Sequence, residues 1–228
     1  IIQRDNMILD GQDHTLQGPK TAYSVGIYLN NRTGVTIRNL KITAFHYGIE
    51  FDSSFGNQLQ GNLVEANIGD GIFFNEASQN NLTDNIIVSN LADGIFLYTY
   101  SNQNCISRNL IQANNYRGID LFFGCNNNTI NENIIVNNNM TGIYLSSSSG
   151  NKIFHNNIID NIVQAKTFQS FNTWDNGYAS GGNYWNNYTG TDTNNDGIGD
   201  RPQTIDRDNI DNYPFINQIQ FTEKGDIN

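Results

Sequence analysis

The feature that most constrains this chain is a register of asparagines. Asn62, Asn85, Asn109, Asn133 and Asn156 follow one another at steps of 23, 24, 24 and 23 residues. Five residues before each stands Asn57, Asn80, Asn104, Asn128 or Asn151, and five after each stands Asn67, Asn90, Asn114, Asn138 or Asn161. A second motif keeps the same period: Gly26-Ile27, Gly48-Ile49, Gly71-Ile72, Gly94-Ile95, Gly118-Ile119 and Gly142-Ile143 recur at steps of 22, 23, 23, 24 and 24. Apolar positions run in phase, with Leu59, Leu82, Ile106, Ile130 and Ile153 before the central Asn and Val64, Ile87, Ile111, Ile135 and Ile158 after it. Runs this short, alternating at period two and broken by Asn or Gly, spell three short strands per repeat joined by sharp bends. Helical repeats of similar period need about ten or more residues of 3.6-periodic pattern per helix, and the chain has none.

The expected architecture is therefore all-β, a right-handed single-stranded parallel β-helix of about seven coils of 22–24 residues. Each coil would stack on the last at ~4.8 Å, so that matching positions form rows along the axis. An Asn at each bend tolerates the left-handed backbone region, and its amide can bond the amides above and below. The Asn rows, drawn from 40 Asn in 228 residues, are thus read as structural rather than ligand-binding. Residues 1–165 are assigned to the coils, opening with a starting coil over 6–18 that turns at Asp10-Gly11. Residues 166–216 hold both Trp, Gly181-Gly182 and the aromatic Tyr178, Tyr184, Tyr188 and Tyr213, and are read as the lid that a parallel stack needs because it ends in unpaired backbone over an open apolar core. Residues 217–228 read as a tail or linker toward a further module. The opening Ile1-Ile2-Gln3-Arg4 already stands in mid-pattern, so any export signal is expected ahead of it.

The residues resemble a known family. The opening Ile-Gln-Arg-Asp-Asn-x-x-Leu-Asp-Gly, the Asn-x-Ile-x-x-Asn repeat, Trp174-Asp175-Asn176-Gly177 with Gly181-Gly182-Asn183-Tyr184-Trp185, and Asp196-Gly197-Ile198-Gly199-Asp200 with Asp211-Asn212-Tyr213-Pro214 are similar to the NosD-type, carbohydrate-binding and sugar-hydrolase-like repeat proteins found on archaeal surfaces. The resemblance spans nearly the whole chain. It implies a pectin-lyase-like β-helix and an extracellular or cell-surface location, and it implies activity much less, because one fold hosts many functions. The final Lys224-Gly225-Asp226-Ile227-Asn228 resembles the start of a dockerin-type calcium module.

Charge narrows the partners. With 12 Lys+Arg against 22 Asp+Glu the formal net charge is −10, which argues against nucleic acid, and no apolar run approaches the ~18 residues of a membrane span. The remaining partners are a polysaccharide or copies of the chain itself, the latter because an open first coil that stacks on the cap of the next molecule would generate filaments. Two outward rows on the Gly-Ile strands are rich in aromatics, and Tyr28, Phe73, Phe96, Tyr98, Phe122 and Tyr144 would either stack on sugar rings or be covered by another part of a protein. Asp70 and Asp93 should lie one coil apart, with Arg117 on the next coil and Asp120 nearby. Such carboxylates can divide the acid and nucleophile roles of glycoside hydrolysis, or form a surface acid pair eased by Arg117. The paired-Asp, His-Gly and Arg-x-Lys signatures of pectin-degrading hydrolases and the clustered His of uronan epimerases are missing.

Asp192, Asn194, Asp196, Ile198 and Asp200 occupy the odd positions of a possible calcium loop with Gly197 at its turn, although Gln203 stands where a bidentate Glu belongs, and the same residues also suit a metal-free surface turn. Calcium is the only cofactor suggested. His14, His46, His155, Met7 and Met140 do not cluster in the repeat, so the copper role of the family's namesake is not carried over. Cys105 and Cys125 fall in different registers and are expected as free thiols. Sequons at Asn31, Asn81, Asn127, Asn139 and Asn187 would permit glycosylation of an exported chain.

Overall fold

A computed structural model describes residues 1–221; the dockerin-like Lys224–Asn228 lies outside the described residues. The chain forms three parallel sheets and one terminal hairpin, with no helix among the described residues. The first sheet has seven strands, from Ile8–Asp10 to Lys152–Phe154. The second has eight, from Thr15–Gln17 to Asn157–Ile159 and Tyr184–Trp185. The third comprises Val25–Asn30, Tyr47–Asp52, Ile72–Asn75, Ile95–Tyr98, Ile119–Phe122, Thr141–Ser146 and Val163–Phe168. Each strand pairs with its counterpart one coil away in the register that the repeat predicts, as in Leu82↔Ile106 and Ile87↔Ile111. The chain is a right-handed parallel β-helix of seven coils.

The core follows from period-two alternation. Ile72, Ile95, Ile119 and Ile143 form one inward row and Phe74, Leu97, Leu121 and Leu145 the next, all fully buried, at roughly 1.5–3 kcal/mol per side chain of this size.

The bends differ from the expectation in one respect. The left-handed residue is not the ladder Asn but the one before it: Gly61, Asp84, Arg108, Glu132 and His155 precede the central row, and Ala66, Ser89, Ala113, Asn137 and Asp160 precede the third row, all with φ between 50° and 64°. That residue reverses the chain direction, and the reversal aims the following Asn inward. Inside, each amide does what the row requires. Asn109 Nδ2 donates to Asn133 Oδ1 at 3.0 Å and to the Leu82 carbonyl at 2.9 Å, while Asn109 Oδ1 accepts from both the backbone N–H and Nδ2 of Asn85. The ladder is therefore polar in direction, each coil donating to the next.

The Gly-Ile motif has its own reason. A Cβ on Gly94 would lie 2.7 Å from Asn114 Nδ2 and 2.7 Å from the Gly118 carbonyl oxygen, so the glycine row makes room for the third Asn row.

The boundary expected at 165/166 falls inside a strand, because Val163–Phe168 completes the third sheet. The ladders also run on into the expected lid. Asn172 extends the first row and ends on Asn209, whose Oδ1 accepts the Asn172 N–H at 3.0 Å, and Asn183 extends the central row and ends on Asp211, whose Oδ2 accepts the Asn183 N–H at 2.8 Å. Asn209 and Asp211 belong to the hairpin Gln203–Asp206 and Asn209–Asp211. Trp174 and Trp185 close the core beneath it, with ring centroids 5.8 Å apart.

Candidate functional site on the outer face of the third sheet

The third sheet carries both groups of residues singled out for chemistry. Parallel pairing puts Asp70, Asp93 and Arg117 in one outward row on successive coils, and Phe73, Phe96, Asp120 and Tyr144 in the next. The acids are not a surface pair. Asp70, Asp93 and Asp120 are 6%, 5% and 2% exposed, sunk between coils and rings. Asp70 Oδ1 accepts the Asp93 backbone N–H at 2.9 Å, and Asp93 Oδ1 accepts the Arg117 backbone N–H at 2.8 Å. Each carboxylate thus bonds the main chain of the following coil, and the row is a short acidic ladder.

Burial raises all three. Asp93 is pushed up to about 8 by burial and then by the charges of Asp120 and Asp70, so it holds its proton at neutral pH. Burial raises Asp70 and Asp120 to about 6, with the Arg117 charge pulling Asp120 back down. Arg117 ion-pairs with Asp120 through Nη1, and its guanidinium lies 4.5 Å from the Tyr116 ring centre and 4.0 Å from that of Tyr144. Arg117 Nε and Asp120 Oδ1 are buried without a hydrogen-bond partner.

Beside the acids runs a ladder of rings. Tyr47 stacks on Phe73 at 4.8 Å, Phe73 meets Phe96 at 5.4 Å and Tyr98 at 6.4 Å, and Tyr98 stacks on Phe122 at 6.1 Å. The expectation of two fully outward aromatic stripes needs correction. Tyr28, Phe73, Phe96 and Tyr144 are half-buried, Phe73 and Phe96 against neighbouring rings and Tyr144 under the Arg117 guanidinium, whereas Tyr98 and Phe122 are exposed at 38% and 39%. Tyr28 is separated from the ladder by Glu50, and its hydroxyl donates to Asp52 at 3.1 Å. Sequence reasoning missed Tyr47 and Phe123, which lengthen the ladder at either end; the signal for Tyr47 was its place in the row that leads to Asp70.

The other candidates sit elsewhere. In the Asp/Asn loop the side-chain oxygens bond their own turn: Asp192 accepts from Asp196 and Gly197 N–H, Asp196 from Ile198 N–H, and Asp200 from Thr191 and Thr193. The side chains of Asp192, Asn194, Asp196 and Asp200 are thus tied into their own turn, with Ile198 in the same loop. No three His, Cys, Asp or Glu side chains among the described residues form a group that could hold a metal. Cys125 is buried, its thiol pushed up to about 12 by burial, and Cys105 is half-buried; neither is bridged. All five sequon asparagines, Asn31, Asn81, Asn127, Asn139 and Asn187, are exposed.

A seven-coil parallel β-helix with one ring-lined, acid-bearing face defines the class of protein. Residues 6–190 match the family described as periplasmic copper-binding protein (NosD), and the chain belongs to that family. Among solved structures it is similar to a mutant of the periplasmic alginate epimerase AlgG, at 25% identity and a TM-score of 0.53 over 63% of this chain and 35% of that one. It also resembles the Dettilon tailspike protein, at 17% identity and a TM-score of 0.58 over 71% and 40%. A third likeness is to the A-module of a mannuronan C-5 epimerase from Azotobacter vinelandii, at 17% and 0.55 over 72% and 56%. The last two share the fold alone, and the chain spans about a third of the length of the AlgG structure. A search among curated proteins returns no match. Among the described residues the copper in the family's description finds no fitting donor set: Met7, His14, His46, Cys105, Cys125, Met140 and His155 are dispersed over different coils and bends.

Proposed function

We propose that this chain is an exported glycan-binding β-helix module that holds a polysaccharide along the outer face of its third sheet. The observation that carries the reading is the continuous ring ladder from Tyr47 through Phe73, Phe96 and Tyr98 to Phe122, which crosses four coils in step with the axis. Rings spaced by the coil repeat of ~4.8 Å form an elongated apolar track along the axis, against which the C–H faces of successive sugars can pack. The periplasmic description of the family and the likeness to an alginate epimerase support an exported, glycan-related role. In binding assays with a panel of soluble polysaccharides, at least one should be retained, and the paired variant Tyr98→Ala, Phe122→Ala should weaken it by roughly tenfold or more. Unchanged affinity in that variant, with an unchanged melting temperature, would remove the reading.

A second reading is favoured by the acids. A carboxyl held protonated at neutral pH beside a more acidic one is the division of labour that glycoside cleavage uses, with Asp93 as proton donor and Asp70 or Asp120 as the ionised partner. New reducing ends or unsaturated products from a glycan panel, lost in Asp93→Asn, would establish it.

A further inference from the structure

We infer that the glycan taken by this face is uncharged, with hydroxyl rather than carboxylate groups set against the Arg117–Asp120 pair, and is not a polyuronate; the inference rests on the glycan-binding reading above. Among the described residues, Arg117 Nε and Asp120 Oδ1 are buried side-chain polar atoms left without partners. They belong to two side chains already joined through Nη1 and Oδ2, so one ion pair carries both an unmet donor and an unmet acceptor. Asp120 is 2% exposed, and a buried polar atom of this kind costs stability unless something fills its need. A hydroxyl both donates and accepts, so it can answer either atom. A uronate carboxylate only accepts, and it would meet Asp120 as a like charge. Access runs past half-buried Phe96 and Tyr144, the row neighbours of Asp120, whose rings have to turn to admit a ligand.

The rest of the face points the same way. Readers of polyuronates present free Arg or Lys to each carboxylate. Here Arg117 is spent on Asp120 and on two tyrosine rings, and the other cation of these rows, Lys166, stands on the last strand. Glu50, Asp52 and Asp70 line the coils on the other side, with Asp52 fixed by the Tyr28 hydroxyl and by Asn75 Nδ2, both at 3.1 Å. On a chain of net charge −10 this face repels polyanions.

The test compares a soluble neutral β-glucan with alginate and polygalacturonate on the whole chain, by calorimetry or affinity electrophoresis at low salt. The glucan should bind at least about tenfold tighter than either polyuronate, and added salt should narrow the gap by screening the repulsion. Asp120→Asn turns the donor–acceptor pair into two donors, because the amide oxygen stays with Arg117 Nη1 and the amide nitrogen faces outward. That variant should lose glucan affinity and gain alginate affinity. Arg117→Lys, which keeps the charge and removes Nε, should lose glucan affinity as well, and it carries the test if Asp120→Asn fails to fold. Polyuronates bound as tightly as glucan by the native chain would overturn the inference and leave glycan binding intact. Binding of no polysaccharide would overturn both. Unchanged preference in folded Asp120→Asn would assign the two orphan atoms a purely structural role and also overturn it.

Discussion

A carboxyl drawn from water into the seam between two coils keeps its proton unless cations or several donors compensate, and for Asp93 one backbone N–H and the Arg117 charge are outweighed by burial and the charges of Asp120 and Asp70. Its affinity for the proton rises from the usual 3.8 to about 8, so between those values the native chain binds more protons than the unfolded one. Stability is therefore fully supported below the lower value and falls as pH rises through the window, by up to about 1.4 kcal/mol per pH unit. Asp70, Asp120 and Asp211, each raised to about 6 mainly by burial, steepen the lower half of that fall. The melting temperature should drop between pH 5 and pH 9, and Asp93→Asn should flatten the upper part of the profile. A melting temperature that rises across this range would show that Asp93 is ionised in the native chain. The bends allow a second residue-scale prediction. Ala113 is exposed and sits at φ 53°, where an L-residue pays about 1–2 kcal/mol. Ala113→Gly should therefore be neutral or stabilising by up to about 1 kcal/mol in denaturant melts, against the usual loss when Gly replaces Ala.

One turn of the coil is held by the rungs at its corners as well as by its strands. Removing the Asn109 side chain takes the acceptor from the Asn85 N–H and from one Nδ2 hydrogen of Asn85, and takes a donor from the Leu82 carbonyl and from Asn133 Oδ1, with all three asparagines and Leu82 buried. Asn109→Ala should cost roughly 3–5 kcal/mol by denaturant unfolding, since each unmet buried group costs about 1–3 kcal/mol and some relaxation follows. Asn109→Asp tests the direction of the ladder: its shape is preserved and the donor removed, so it should destabilise as well, whereas a ladder held by shape alone would tolerate it. Much of this element was legible in the sequence, because the Asn and Ile rows keep a fixed phase and phase becomes register once coils stack. What stayed hidden was which residue turns the corner. Positions such as Asp84, Arg108 and Glu132 carry no common side chain, since solvent-facing left-handed residues need only tolerate the conformation while their neighbour supplies the hydrogen bonds. The glycine row was visible as a motif, but its purpose, space for Asn114 against Gly94 and its equivalents, exists only across the width of a coil.

At the scale of the whole molecule the stack needs an end, and the sequence pointed to a lid over 166–216 without showing how it is built or that the last coil strand runs on to Phe168. The Asn pattern fades there because the rungs are supplied from four separated places, Asn172, Asn183, Asn209 and Asp211, which no fixed period links. The buried acids were hidden for a related reason: their outward row is legible, but the rings and Arg117 that lean over them come from adjacent rows and coils. Because every rung donates toward the C-terminal end, the last one has only to accept. Asp211 does so, taking the Asn183 N–H at 2.8 Å and Trp185 Nε1–H at 2.8 Å on one oxygen and the Tyr213 N–H at 3.1 Å on the other. Asp211→Asn places an amide N–H₂ against one of these donors and should cost about 1–3 kcal/mol. In a stacked array, where each coil touches only its neighbours, the loss should spread from the end inward. Hydrogen exchange should then show the amides of Asn183–Trp185 and Lys152–Phe154 losing protection first, while those beside Asn85 and Asn109 keep theirs. Uniform loss along the axis would mean that the coils unfold as one unit and that the hairpin is no independent lid.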